Sequence, residues 1–147
     1  MFSRIRWFTH YEGRKLEYAT SAYMVGFGAF LLAPTESMQG CLGIEASARL
    51  LLEQEWGALF FFLGAACLVT LHVNGRGWWT PFARMSCFGA AMVAHIAILS
   101  GFVTYQPSNP ATFVFLSLAF LFCGEGFLVA FRDAGREISR WRHGRLR

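Results

Sequence analysis

The sequence predicts an all-α membrane protein: four transmembrane helices in an antiparallel bundle, with both termini in the cytoplasm. Three observations predict it. The 147 residues are 55% hydrophobic and only 15% charged, whereas about a quarter of a soluble domain is charged. The apolar residues fall into four long runs, with the charges in blocks between them. Finally, all basic residues but Arg49 fall on one side of the membrane that those runs define. A soluble fold of this size could not hide 16 Phe and 5 Trp and keep a wettable surface.

The runs cover residues 16–33, 57–73, 82–103 and 111–131, each 17 to 22 residues long. At ~1.5 Å per residue, each helix reaches across a ~30 Å hydrocarbon core. Backbone amides in lipid must bond within their own segment, which selects helices, and no period-2 alternation supports a barrel. The chain is long enough for one domain.

The first run follows Arg4, Arg6, Arg14 and Lys15. Its basic leader is long, and "MQGC" at Cys41 lacks the residues of a lipoprotein processing site, so the run is read as a retained span. The N-terminal "MFSRIRWFTHYEGRK" mixes Arg with Phe and Trp and suits a short interfacial helix. In the second half of the long first connection, "EASARLLLEQEW" reads as a helix in which Glu45, Arg49 and Glu53 pair every four residues. "NGRGWWTP" and "TYQPSNP" are tight turns that make runs two to four antiparallel neighbours. Arg76 and Arg84 flank the first of these turns. By the positive-inside rule, that turn and both termini face the cytoplasm. Trp7, Trp56, Trp78, Trp79 and Trp141 lie outside the runs, where an interfacial belt is expected. The tail after run four carries Arg132, Arg136, Arg140, Arg142, Arg145 and Arg147. It is expected to leave the bilayer and lie on anionic headgroups, with Arg136, Arg140, Arg142, Arg145 and Arg147 as the lipid contacts. That location already explains the arginines, and no nucleic-acid binding is expected.

Small residues mark helix-packing faces. Ala22, Gly26, Ala29 and Ala33 form one stripe in the first run; Ser86, Ala90, Ala94, Ala97 and Gly101 form another in the third. Either packs the monomer or builds an oligomer.

The polar candidates inside the runs are Glu125, His95 and Arg84. Glu125 interrupts "FLFCGEGFLVAF" about 9 Å from the cytoplasmic end of run four. Arg84 is its expected partner, with Arg132 as a second guanidinium and Ser86, Tyr18 and Ser21 as possible donors. The carboxylate is read either as a structural anchor or as a proton-carrying, pore-lining group turned inward. His95 is read as an imidazole bonded to a neighbouring helix, or as a second polar group on the same water path. His72 and His95 differ too much in depth to ligate one haem, and no cofactor is expected. Cys67, Cys87 and Cys123 read as small hydrophobes, whereas Cys41 faces the outer compartment and could pair between chains. There is no nucleophile–base set, no phosphate-cradling glycine loop and no cluster of metal ligands, so neither catalysis nor a metal site is expected.

The segments "EWGALFFFLGAACLV", "NGRGWWTPFAR" and "PSNPATFVF", in this order, resemble small four-span membrane proteins of tailed phages and prophages. Some of these are holin-like, which implies oligomers that permeabilise the bacterial inner membrane. The resemblance supplies no motif from which residue roles carry over. The function expected first is therefore membrane assembly, with permeabilisation of that kind. A proton- or cation-coupled carrier using Glu125 is the second expectation. The third is an accessory subunit of a larger membrane complex, or a superinfection-exclusion protein.

Overall fold

A computed structural model describes residues 14–33, 42–47, 49–73 and 78–144. The N-terminal interfacial helix, Cys41, Arg76, Arg145 and Arg147 lie outside the described residues. The chain is helical, with no strand among the described residues. The elements are α1 (Lys15–Leu32), α2 (Leu42–Ser47), α3 (Glu53–Val73), α4 (Thr80–Tyr105) and α5 (Pro110–Ser117). A π-helical segment (Leu118–Cys123) then runs without a break into α6 (Gly124–Gly144).

Three helices are long and apolar enough to cross a membrane: Glu53–Val73, Thr80–Tyr105 and Pro110–Arg142. Their start signals are local. Pro81 sits in the first turn of α4, where its missing N–H is one the helix could not have bonded. Asn109 caps α5, its Oδ1 accepting from Ala111 N at 2.9 Å, with Pro110 opening the helix. The expected runs agree with these helices to within four residues wherever both have an end. The exception is the C-terminal end of run four. There the helix does not stop at Phe131 but continues to Gly144.

Large apolar side chains cover the outside, among them Phe62, Val69, Val93, Phe113 and Leu121. An apolar exterior around a packed interior is what a hydrocarbon solvent selects.

The most extensive helix contact joins α1 to α3. It is set by glycines. A Cβ on Gly28 would run into Phe61 N and lie 2.7 Å from Gly57 O; one on Gly64 would lie 2.7 Å from Val25 N and 2.8 Å from Ser21 O. Numbering thus rises along one helix as it falls along the other, and the backbones touch. Ser21 and Gly28 are spaced seven apart, as are Gly57 and Gly64, so one face of each helix meets the other. The buried face of α1 is therefore Thr20, Ser21, Met24, Gly28 and Leu31. The expected stripe of α1 is not this face: Ala22, Gly26 and Ala29 are exposed and Ala33 is half-buried. In α4 the stripe divides. Ala94 and Gly101 are buried and Ala97 half-buried, whereas Ser86 and Ala90 face outward.

Helix α4 packs against α2, α3, α5, the π segment and α6, and forms the centre of the fold. The long connection departs from expectation. Its helix ends at Ser47 and the chain turns through 49–52, so no continuous Glu45–Arg49–Glu53 ladder forms. The Arg49 guanidinium instead lies 6.0 Å from the Tyr105 ring centroid. Trp56 is not part of an interfacial belt. It is buried, and its Nε1 donates to Ser47 O at 3.1 Å, tying α2 to α3. Trp78, Trp79 and Trp141 are exposed.

Candidate functional site

Two polar centres lie inside the bundle. The first joins the beginnings of α1 and α4 to the middle of α6. Arg84 is fully buried, its Nη2 donating to Glu17 Oε1 at 2.5 Å and its Nη1 to Asp133 Oδ2 at 3.2 Å. Arg14 Nη2 donates to the same Asp133 oxygen at 2.8 Å, and Arg14 Nη1 lies 3.9 Å from Glu17 Oε2. Two guanidinium groups thus face two carboxylates, and the charges cancel. Neutrality is what makes such burial tolerable, because an unpaired charge in this setting costs several kcal/mol. Burial acts most strongly on Arg14, lowering its pKa; the like charge of Arg84 acts in the same sense, while Glu17 and Asp133 oppose both. An arginine remains cationic under such influences.

This quartet corrects the expected pairing. Arg84 meets Glu17 and Asp133, and no ion pair or hydrogen bond with Glu125 joins it among the described residues. Ser21, one of the expected donors, gives its hydroxyl to Glu17 O at 2.7 Å. Glu125 is exposed on the outer face of α6. The reason is rotational. Gly126 and Ala130 hold the inner face, with Gly126 so close to Phe88 that a Cβ there would lie 2.8 Å from the ring. Glu125 precedes Gly126 by one residue, which turns it ~100° from that contact.

The second centre is His95, also fully buried. Its Nδ1 donates to Ala91 O at 2.7 Å, one turn back on its own helix rather than on a neighbour. That bond leaves Nε2 as the acceptor nitrogen, and Nε2 has no hydrogen-bond partner among the described residues. The surroundings are aromatic: Phe60 lies 4.8 Å away edge-on, Tyr23 at 6.1 Å and Phe115 at 6.3 Å, centroid to centroid. Cys123 Sγ is 3.8 Å from Nδ1. Cys123 closes the π segment, in which Gly124 N–H reaches back five residues to Ala119 O. Ala119 and Cys123, four residues apart, are both on the buried side. Cys67 is buried, Cys87 half-buried, and all three described cysteines are free thiols.

The two centres are separate. Arg84 and His95 are eleven residues apart on α4, or ~16 Å. His95 and Glu125 border no common path, since one is in the core and the other outside. Among the described residues, no group of three or more His, Cys, Asp and Glu side chains could hold a metal ion.

Sequence reasoning missed Glu17, Asp133 and Arg14. A depth count could have found them. Each lies within two residues of the same end of an apolar run, level with Arg84, so they are the groups at the right height to answer it.

The chain matches no known family model, no curated protein and no solved structure.

Proposed function

We propose that this is a multi-pass protein of the bacterial inner membrane, of phage or prophage type, that works by assembling with copies of itself and permeabilising the bilayer in a holin-like way. In this reading α1 is the fourth span; its 18 residues reach ~27 Å. Both termini are cytoplasmic, on the basic side, and the spans alternate in direction.

The observation that carries the proposal is the outward position of Glu125. It stands among the exposed Phe120, Leu121, Leu128 and Phe131, where a monomer would present a carboxyl group to hydrocarbon, a costly arrangement. A neighbouring copy removes that cost. Depth supports α1 as the receiving face. Glu125 is eight residues from Asp133 and Gly26 nine from Glu17, ~12 and ~13 Å along their helices. Asp133 and Glu17 meet at Arg84, so Glu125 and Gly26 stand at one level. Gly26 has nothing within 4 Å of where its Cβ would be, and Ala22 and Ala29 extend the same open face. A ring of copies joined α6 to α1 would carry a ring of carboxyl groups, the arrangement that favours cations in channels.

The assembly expected from the sequence turned Glu125 and His95 inward; with Glu125 outward, assembly in this reading places the carboxyl group at the contact between copies, and a carrier would have to use it outside a single bundle. An accessory role would also cover Glu125, with a partner's helix in place of a second copy, so the test must separate the two. In nanodiscs the wild-type particle is expected at a multiple of the chain mass, and expression should collapse the membrane potential. Gly26→Leu and Glu125→Gln are expected to lower both while the fold survives. A monomeric particle without depolarisation would defeat the proposal; a stable complex with a different protein would support the accessory reading instead.

A further inference from the structure

The cationic tail is not a separate surface helix. Pro110–Arg142 is one continuous stretch of 33 residues, and α6 continues to Gly144. The stretch from Pro110 to Phe131 already suffices to cross ~30 Å of hydrocarbon. The rest must therefore project. Arg140 and Arg142 stand ~13 and ~16 Å beyond Phe131 along the axis. Headgroups occupy only ~5–8 Å on each side. Even at a tilt of ~40°, the upper end for spans, the two remain ~10 and ~13 Å out. Arg132 and Arg136 are at headgroup height; Arg140, Trp141 and Arg142 are past it.

The faces of this projection differ. Arg132, Arg136 and Arg140 recur every four residues on the side away from the bundle, with Arg136 and Arg140 each more than three-quarters exposed. Ile138 and Trp141, three apart, are 45% and 61% exposed. They continue the helix face of buried Ala130 and Ala134 with partly exposed apolar side chains. From Arg132 to Arg142 four guanidinium groups stand against two carboxylates. Asp133 is already shared by Arg84 and Arg14, with Arg136 at 3.8 Å, and Glu137 holds Arg140 at 3.2 Å, so the net positive charge of the outer turns rests on Arg132 and Arg142, with Arg140 exposed beside its carboxylate. A second copy of this helix would bring like charge, which opposes pairing.

We propose that the outer turns of α6 are a docking post for a protein partner outside the bilayer: a helix with an apolar stripe flanked by carboxylates. Ile138 and Trp141 supply the apolar contact, and Arg140 and Arg142 select the partner by charge. This surface is separate from the lipid-level faces proposed for assembly.

The test uses the full chain in phosphatidylcholine nanodiscs. The probe is a fluorescent amphipathic peptide with a leucine stripe flanked by glutamates, followed by anisotropy. Saturable binding is expected, weakening with added salt. The double variant Arg140→Glu/Arg142→Glu is expected to lose at least tenfold in affinity, and Trp141→Ala about tenfold. A lysine-flanked peptide of the same pattern should bind the wild type at least tenfold more weakly. Equal binding of the two peptides, or no loss in the variants, would overturn the proposal. So would an oligonucleotide that outcompetes the acidic peptide. A blue shift of Trp141 emission, judged against Trp141→Phe, on replacing phosphatidylcholine with phosphatidylglycerol would assign the tail to the membrane instead and also overturn it.

Discussion

Arg84 is the residue on which the bundle most depends. It is wholly enclosed, and its guanidinium bridges a carboxylate on α1 and another on α6. Replacing it with Met would strand Glu17 and Asp133 against the remaining Arg14, and a loss of about 3–5 kcal/mol is expected. Denaturation of the detergent-solubilised protein checks this. A double variant with Glu17→Gln should lose less than the sum of the two single changes, because each single change leaves a charge without its partner. His95 makes the opposite case. Its Nε2 is buried without a hydrogen-bond partner among the described residues, a state that costs about 1–3 kcal/mol. His95→Leu should therefore be close to neutral for stability, read by the same denaturation. If it abolishes depolarisation while leaving the fold intact, His95 serves function rather than packing.

At the scale of elements, two glycines on one helix separate packing from assembly. A Cβ on Gly28 collides with the backbone of α3, which has no side chain to move aside, whereas one on Gly26 meets nothing. Gly28→Ala is expected to cost at least 1–3 kcal/mol, and Gly26→Ala well under about 1 kcal/mol. Thermal unfolding of the two variants side by side tests the assignment of faces. This is also where sequence reading meets its limit. The first apolar run contains two small-residue stripes pointing in different directions. Ala22, Gly26, Ala29 and Ala33 look the more regular, yet Ser21 and Gly28 win the inner face. They win because α3 offers Gly57 and Gly64 at the same spacing, and Glu17 extends that face toward Arg84. A rule applied to one helix at a time cannot choose; matching the spacing on two helices can.

For the whole molecule, the helical class and the long apolar helices were legible because hydrophobicity over some twenty residues is a strong signal that no tertiary contact overrides. The polar interior was much less so. Charge could be placed to within a turn in depth, but not in rotation, and one residue's rotation decides whether Glu125 meets Arg84 or the surroundings. The same limit applies to the end of run four. Arg132 marks where the apolar run stops, and nothing in its chemistry says whether the helix stops too.

The unbroken passage from α5 to α6 makes the molecule a lever. Because the helix does not end where the apolar run ends, a lean of the apolar part would be carried outward along it. Thirteen residues lie beyond Phe131 in α6, an arm of ~20 Å. A 10° lean displaces its tip sideways by roughly 3 Å at that rise per residue. At the base of this arm Asp133 is held by Arg14 and Arg84, so the charged quartet is the point at which the arm is tied to the bundle.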